Sequence, residues 1–328
     1  MSEENIYISA EAMTSFNLWF SVVANLGLTT MAIVLNIVNV IVFVTQGLKE
    51  LVNFNLFCLS LVDLLGAVST TTVVHGFIAH SWIPEMMIEW NLYVYLVNWT
   101  RNLFYDLSTA LTVFITVERC TCVTLPLYFK VSFMARNPKL IILGVVLFVM
   151  MNYLPIFASF GLDSLSYTEN NLTVTVLRYS KLCVSLRLYN DVAFGVVAAA
   201  ACQACIFICA VLMYKALRQS VEFKNSRHLH VEAKTRINGM SKREKDVVRM
   251  ILFLASMYLV STMPQIVFCW ARVIVPGINT YELINVTIIL SEVVVFMSSI
   301  YGAMSFFVYF GFNSKFRFTL RKICCTVS

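Results

Sequence analysis

Asp106-Leu107-Ser108-Thr109-Ala110-Leu111-Thr112-Val113-Phe114-Ile115-Thr116-Val117-Glu118-Arg119-Cys120 is a helix-length apolar segment whose far end carries an acid and a base side by side. A charge at bilayer depth costs about 2.5 to 3.5 kcal/mol on insertion scales, so ionisable residues closing an apolar run are usually held by partners and tied to function. Two readings of Glu118 and Arg119 stand at this point: they mark where a helix leaves the membrane, or they form a functional pair.

The surrounding chain bears on that choice. Of its 328 residues 59% are hydrophobic and 13% charged, and the mean hydropathy is +0.78. This is too apolar for a soluble domain, and the pattern lacks the alternation of a transmembrane barrel. The expected class is all-α membrane. Seven stretches reach the roughly 20 apolar residues a span needs: Val22 to Thr45, Asn53 to Ala79, Leu92 to Val123, Leu140 to Leu162, Tyr189 to Tyr214, Val247 to Ala271 and Leu283 to Phe312. The charges inside them include Asp63, Arg101, Asp106 and Glu292. No basic leader or small-residue cleavage site precedes the first run, so no removable signal peptide is expected.

The net charge of +6 would suggest nucleic acid in a soluble protein. Here its distribution matters more: Lys224, Arg227, Lys234, Arg236, Lys242, Arg243 and Lys245 crowd one connection, and Lys315, Arg317, Arg321 and Lys322 follow the last span. The positive-inside rule then places the N-terminus outside and the C-terminus in the cytosol. Arg178, Lys181 and Arg187 are a local exception in an outer loop, which also holds the glycosylation sequon Asn171-Leu172-Thr173. The division is residues 1–21 as an outer arm, 22–312 as one bundle and 313–328 as a tail. In that tail, basic and apolar residues from Asn313 to Cys325 follow a near-helical spacing, as in a helix lying in the membrane interface. Cys324 and Cys325 at its end are palmitoylation candidates, or else ordinary reduced thiols.

Several spacings agree across these spans. They are Asn36 in the first; Asn53 ten residues before Asp63 in the second; Ser108 and Glu118-Arg119 in the third, with Pro126-Leu127 after it; Tyr214 at the end of the fifth; Glu244 twenty residues before Pro264; and Ser305-Phe306-Phe307-Val308-Tyr309 before Phe316-Arg317. On these residues the chain resembles the rhodopsin-like family of G-protein-coupled receptors over nearly its whole length. The Glu118-Arg119-Cys120-Thr121-Cys122 run looks like that of invertebrate chemosensory or peptide receptors. Departures accompany the match. Ser305-Phe306 stands where the family has Asn-Pro, Thr262 where it has Trp, and the fifth span has small residues such as Cys202 and Cys205 where it has Pro. The family's outer disulfide has a loop candidate in Cys183, but no cysteine near Val94; Cys183 is then unbridged or pairs elsewhere, Cys269 being the nearest option.

The resemblance implies a plasma-membrane receptor for an extracellular ligand, a peptide or a chemosensory small molecule, with a heterotrimeric G protein and arrestin as partners. It implies that Arg119 pairs with Glu118 and with Glu244 in the closed bundle, and that Tyr214 and Tyr309 turn inward on activation. Asn36, Asp63, Ser108 and Ser305 would form a polar centre, holding either a sodium ion or a protonated Asp63. Asn98, Arg101, Tyr105, Gln265, Phe268 and Glu292 would line the ligand pocket, with Arg272 at its mouth. Arg101 stands about five turns before Arg119, where amine receptors of the family carry an acid. The reversed charge disfavours a cationic ligand there; Arg101 reads a carboxylate or phosphate, or pairs internally with Glu292 or Asp106.

Other classes fare less well. A retinal receptor needs a seventh-span lysine, and no Lys occurs between Lys245 and Lys315. A channel or transporter could use Arg101, Asp106, Asp63 and Glu292 as a path, but paired broken helices and inverted halves are absent from the pattern. No nucleophile, metal or phosphate-binding constellation points to an enzyme.

Overall fold

The structure, a computed structural model, describes residues 10–82, 87–167, 172–179, 181–227, 241–275 and 283–327. Seven of its helices are long and apolar enough to cross a membrane: Leu18–Gln46, Leu51–Thr72, Tyr95–Thr124, Pro138–Ala158, Lys181–Gln219, Lys242–Ile274 and Asn285–Phe312. The chain is therefore a multi-pass helical bundle, and these are its first to seventh spans. The first begins four residues before the expected Val22, and its helix runs back through a wider π-type stretch, Asn17–Asn25, to Ala10.

Local chemistry sets the ends. Gly47 closes the first span with φ +88°, a left-handed conformation that glycine adopts without steric cost. The third span stops before Pro126, which disfavours helix in the preceding residue; Leu125 is non-helical, with φ −131° and ψ 60°. Pro138 opens the fourth span at its first turn, where a missing N–H costs nothing. That span ends at Ala158, not at Leu162 as expected from hydropathy. Phe160–Tyr167 instead pairs antiparallel with Leu172–Tyr179, so the bundle carries one two-stranded hairpin. Thr173-Val174-Thr175-Val176 supplies the β-branched run that favours it.

Packing puts the third span in the middle: it touches the second, fourth, fifth and sixth. The fifth span includes a π-type stretch, Asp191–Ala198, and Gly195 within it lies against the sixth. A β-carbon there would come within 2.7 Å of the Cys269 sulfur, so the close approach of the two helices requires glycine. After the seventh span, Asn313 Oδ1 accepts from the Phe316 amide at 3.1 Å and starts the tail helix Ser314–Val327. Phe316 is fully buried between Phe43 and Tyr309, whereas Phe318 is exposed. Arg317 donates to the carbonyls of Phe310 and Gly311 at 2.8 and 2.6 Å, satisfying acceptors at the C-terminal end of the seventh helix. The tail is thus an amphipathic helix seated on the first and seventh spans.

Candidate functional site

At one end of the bundle Glu118 is fully buried and pairs with Arg119, whose side chain is 12% exposed. Asn55, also buried, donates through Nδ2 to the other carboxylate oxygen. The second span supplies this donor because Asn55 lies on its buried face between Asn53 and Leu56. Arg119 lines a cavity of about 400 Å³ with Asn53, Cys122, Arg243, Glu244, Phe312 and Lys315.

Glu244 does not complete the expected lock. Its carboxylate accepts from the Ser241 amide at 2.7 Å while Ser241 Oγ accepts from the Glu244 amide at 3.2 Å. This reciprocal capping box starts the sixth helix and turns the carboxylate back along the chain, so the Arg119–Glu244 contact is not formed. Glu50 ties down the sixth helix instead. It accepts from Arg243 at 2.7 Å and from Lys315 at 3.2 Å, joining the loop after the first span to the sixth helix and the tail. The hydrogen bond from Lys315, with the charge of Arg243, holds the Glu50 carboxyl below its ordinary 4.5. Tyr309 is fully buried and Tyr214 is 59% exposed; the two do not meet.

The polar centre is divided. Asp63 Oδ1 accepts from Ser108 Oγ at 2.5 Å, and Asp63 Oδ2 is buried without a hydrogen-bond partner among the described residues. Asn36 Nδ2 donates to the carbonyls of Ala32 and Gly302, both at 3.0 Å. Asn39 Nδ2 reaches Asn36 Oδ1 at 3.3 Å and Ser305 Oγ at 3.4 Å. Asn36 and Ser305 are thereby engaged with each other and with the backbone. The four expected side chains thus fall into two pairs, Asp63 with Ser108 and Asn36 with Ser305. Asn39 was not anticipated, although its place three residues after Asn36 puts it on the same helix face.

The expected pocket also separates. Arg101, Tyr105 and Gln265 line an inner cavity of about 100 Å³ together with Asp63, Ser108 and Tyr301. Arg101 makes no hydrogen bond or close ion pair with any described residue; the charge of Glu292 acts on it from farther off, while Glu292 accepts from Asn25 Nδ2 at 2.6 Å and Asp106 accepts from the Tyr153 hydroxyl. Asn98, Phe268, Arg272 and Glu292 lie outside that cavity. Arg272 makes a two-pronged bridge to Asp191, at 2.9 and 2.8 Å, and lies over the Phe268 ring, tying the fifth and sixth spans. None of the ten cysteines forms a disulfide. Cys183 is fully buried with its sulfur 3.6 Å from the Tyr95 hydroxyl, and Cys269 packs on Gly195. Cys324 and Cys325 are exposed on the tail helix. Asn171 lies outside the described residues. No family model matches the sequence, and comparison with curated proteins finds no match.

Proposed function

We propose that the chain is a plasma-membrane receptor that couples an extracellular ligand to a heterotrimeric G protein, with the N-terminus outside and the Arg119 end in the cytosol. One observation carries this reading: a guanidinium bound to a fully buried carboxylate stands in the wall of a cavity at the basic end of a seven-helix bundle. Arginine suits such a role because its planar fork holds one carboxylate while offering further donors to a partner. Opening of the sixth helix would enlarge the cavity and present Arg119, a switch between two packings. On the outer side, Arg101 recognises an acidic group of the ligand. The inner cavity, of about 100 Å³, has room for a carboxylate head, and the guanidinium in its wall donates to no described residue. A channel is less well supported, since Asp106 lines a different cavity from the one that Arg101 and Asp63 share.

Nucleotide exchange by a G protein, measured with the purified chain in lipid, tests the reading. Arg119→Ala is expected to abolish stimulated exchange at equal amounts of folded protein in the lipid, and Arg101→Ala to remove the response to acidic ligands. Arg101→Lys should weaken that response because the fork is lost. Exchange that persists in Arg119→Ala, or a ligand-gated current without G protein, would overturn it.

A further inference from the structure

A third cavity, of about 410 Å³, lies among the third, fourth, fifth and sixth spans. That volume is within the roughly 300 to 1,000 Å³ usual for small-molecule sites. It is distinct from the Arg101 cavity but shares a wall with it, formed by Tyr105, Thr109, Tyr258, Thr262 and Gln265. The rest of its lining is largely aliphatic and aromatic, from Ile141, Val145, Val149 and Ala198 among others.

Two features give it a polarity and an entrance. Asp106 lines the cavity; Tyr153 donates to its Oδ2, and no described residue donates to Oδ1. Among the described residues no cationic side chain lines the cavity, so the acid has a hydroxyl from them but no counter-charge within an apolar span. Phe148 of the fourth span is 62% exposed although it lines the cavity, and its ring centroid is 6.3 Å from that of Phe194 in the fifth. The fourth span packs on the outer end of the fifth, Lys181–Asn190. Below that contact the Phe148 and Phe194 rings stand between the cavity and the lipid-facing surface. Gly144, also in the lining, has nothing within 4 Å of where a β-carbon would be.

We propose that this cavity binds a hydrophobic amine that enters from the bilayer between the fourth and fifth spans, its ammonium paired with Asp106 and its chain lying among the aliphatic walls. An ammonium supplies the missing counter-charge and a donor for Oδ1, and a charge-assisted bond is about twice as strong as a neutral one. An anion would be repelled by Asp106, and a plain acyl chain would leave the carboxylate as it is. The site uses neither Arg101 nor Arg119 and stands independently of G-protein coupling.

The probe is dodecylamine carrying a diazirine, photo-crosslinked to the purified chain in phosphatidylcholine nanodiscs, competed with unlabelled dodecylamine or dodecanol, and mapped by mass spectrometry. The expected result is saturable labelling of peptides containing Phe148 and Phe194, displaced at least tenfold better by dodecylamine than by dodecanol. Asp106→Asn should erase that preference. Gly144→Leu, which projects into open space and leaves the carboxylate intact, should lower labelling at least fivefold, with thermal melting confirming that both variants are folded. Equal displacement by the two competitors would make this an acyl-chain slot only and overturn the amine. Labelling unchanged in Gly144→Leu would overturn the location.

Discussion

At the scale of single residues, Glu118 shows how a carboxylate is kept inside an apolar helix. It has lost its water and has two donors in return, the Arg119 guanidinium and the Asn55 amide. Removing one partner of a buried ion pair costs about 3 to 5 kcal/mol, and removing a donor to a buried group about 1 to 3 kcal/mol. Asn55→Ala is therefore expected to lower the thermal midpoint of the purified protein, and Glu118→Gln to lower it less than Glu118→Ala because an amide can still bond to Arg119; equal midpoints for Asn55→Ala and wild type would remove Asn55 from the account. The acid and base were legible in sequence because charges inside an apolar run are rare. Asn55 was not, since a polar residue near a span end carries no spacing that names its partner. Glu244 fitted two patterns at once. Its place before Pro264 suggested the lock, while Ser241-Lys242-Arg243-Glu244 spelled the capping box that the structure forms. The local pairing prevailed, since it needs no movement of another helix.

Among elements, hydropathy runs located all seven spans, because length and apolarity are what the bilayer demands. They did not fix the ends, which depend on caps, prolines and pairing. The fourth run appeared to continue through Leu162 because strands and spans both use apolar residues, and only the alternation in Thr173-Val174-Thr175-Val176 marked the hairpin. The tail helix was legible from its spacing, but not its anchor: Phe316 inserts between Phe43 and Tyr309, while Cys324 and Cys325 are exposed where acyl chains could attach. Burial of a phenylalanine and acylation are separate means of holding one helix. A palmitate analogue is expected to label wild type and not the Cys324→Ser, Cys325→Ser double variant. Hydrogen exchange in the tail should rise modestly in that variant, modestly in Phe316→Ala, and at least tenfold when the changes are combined. Labelling that is equal in wild type and the double variant would exclude acylation, and protection retained in the combined variant would show that the tail is held by neither device.

On the scale of the whole molecule, pairings of two kinds stand at the Arg119 end, and only one of them joins separate elements. Arg119–Glu118 is buried and lies within the third helix, so it does not itself restrain the sixth. Glu50 does, by joining Arg243 of the sixth helix and Lys315 of the tail. Its side chain is 43% exposed, and those of Arg243 and Lys315 are 69% and 41% exposed. Exposed pairs contribute at most about 1 kcal/mol each, so this is a weak clasp that a partner could open. The Glu50 carboxyl is held below its ordinary value by these partners. The contribution of the clasp is thus complete above the ordinary 4.5 and is lost only as pH falls through the lowered value. Between pH 8 and 5.5 it should not change, whereas salt should loosen it, because the screening length falls from about 10 Å at 0.1 M to about 3 Å at 1 M. Spin labels at Lys242→Cys and Phe318→Cys, with Cys324 and Cys325 changed to Ser, would report the distance from the foot of the sixth helix to the tail. Glu50→Gln is expected to populate a longer distance about two- to tenfold more at low salt and to remove the salt dependence. Glu244→Ala should fray the sixth helix but leave the salt dependence in place. A distance distribution that ignores both salt and Glu50→Gln would mean that the sixth helix is held by its apolar packing alone.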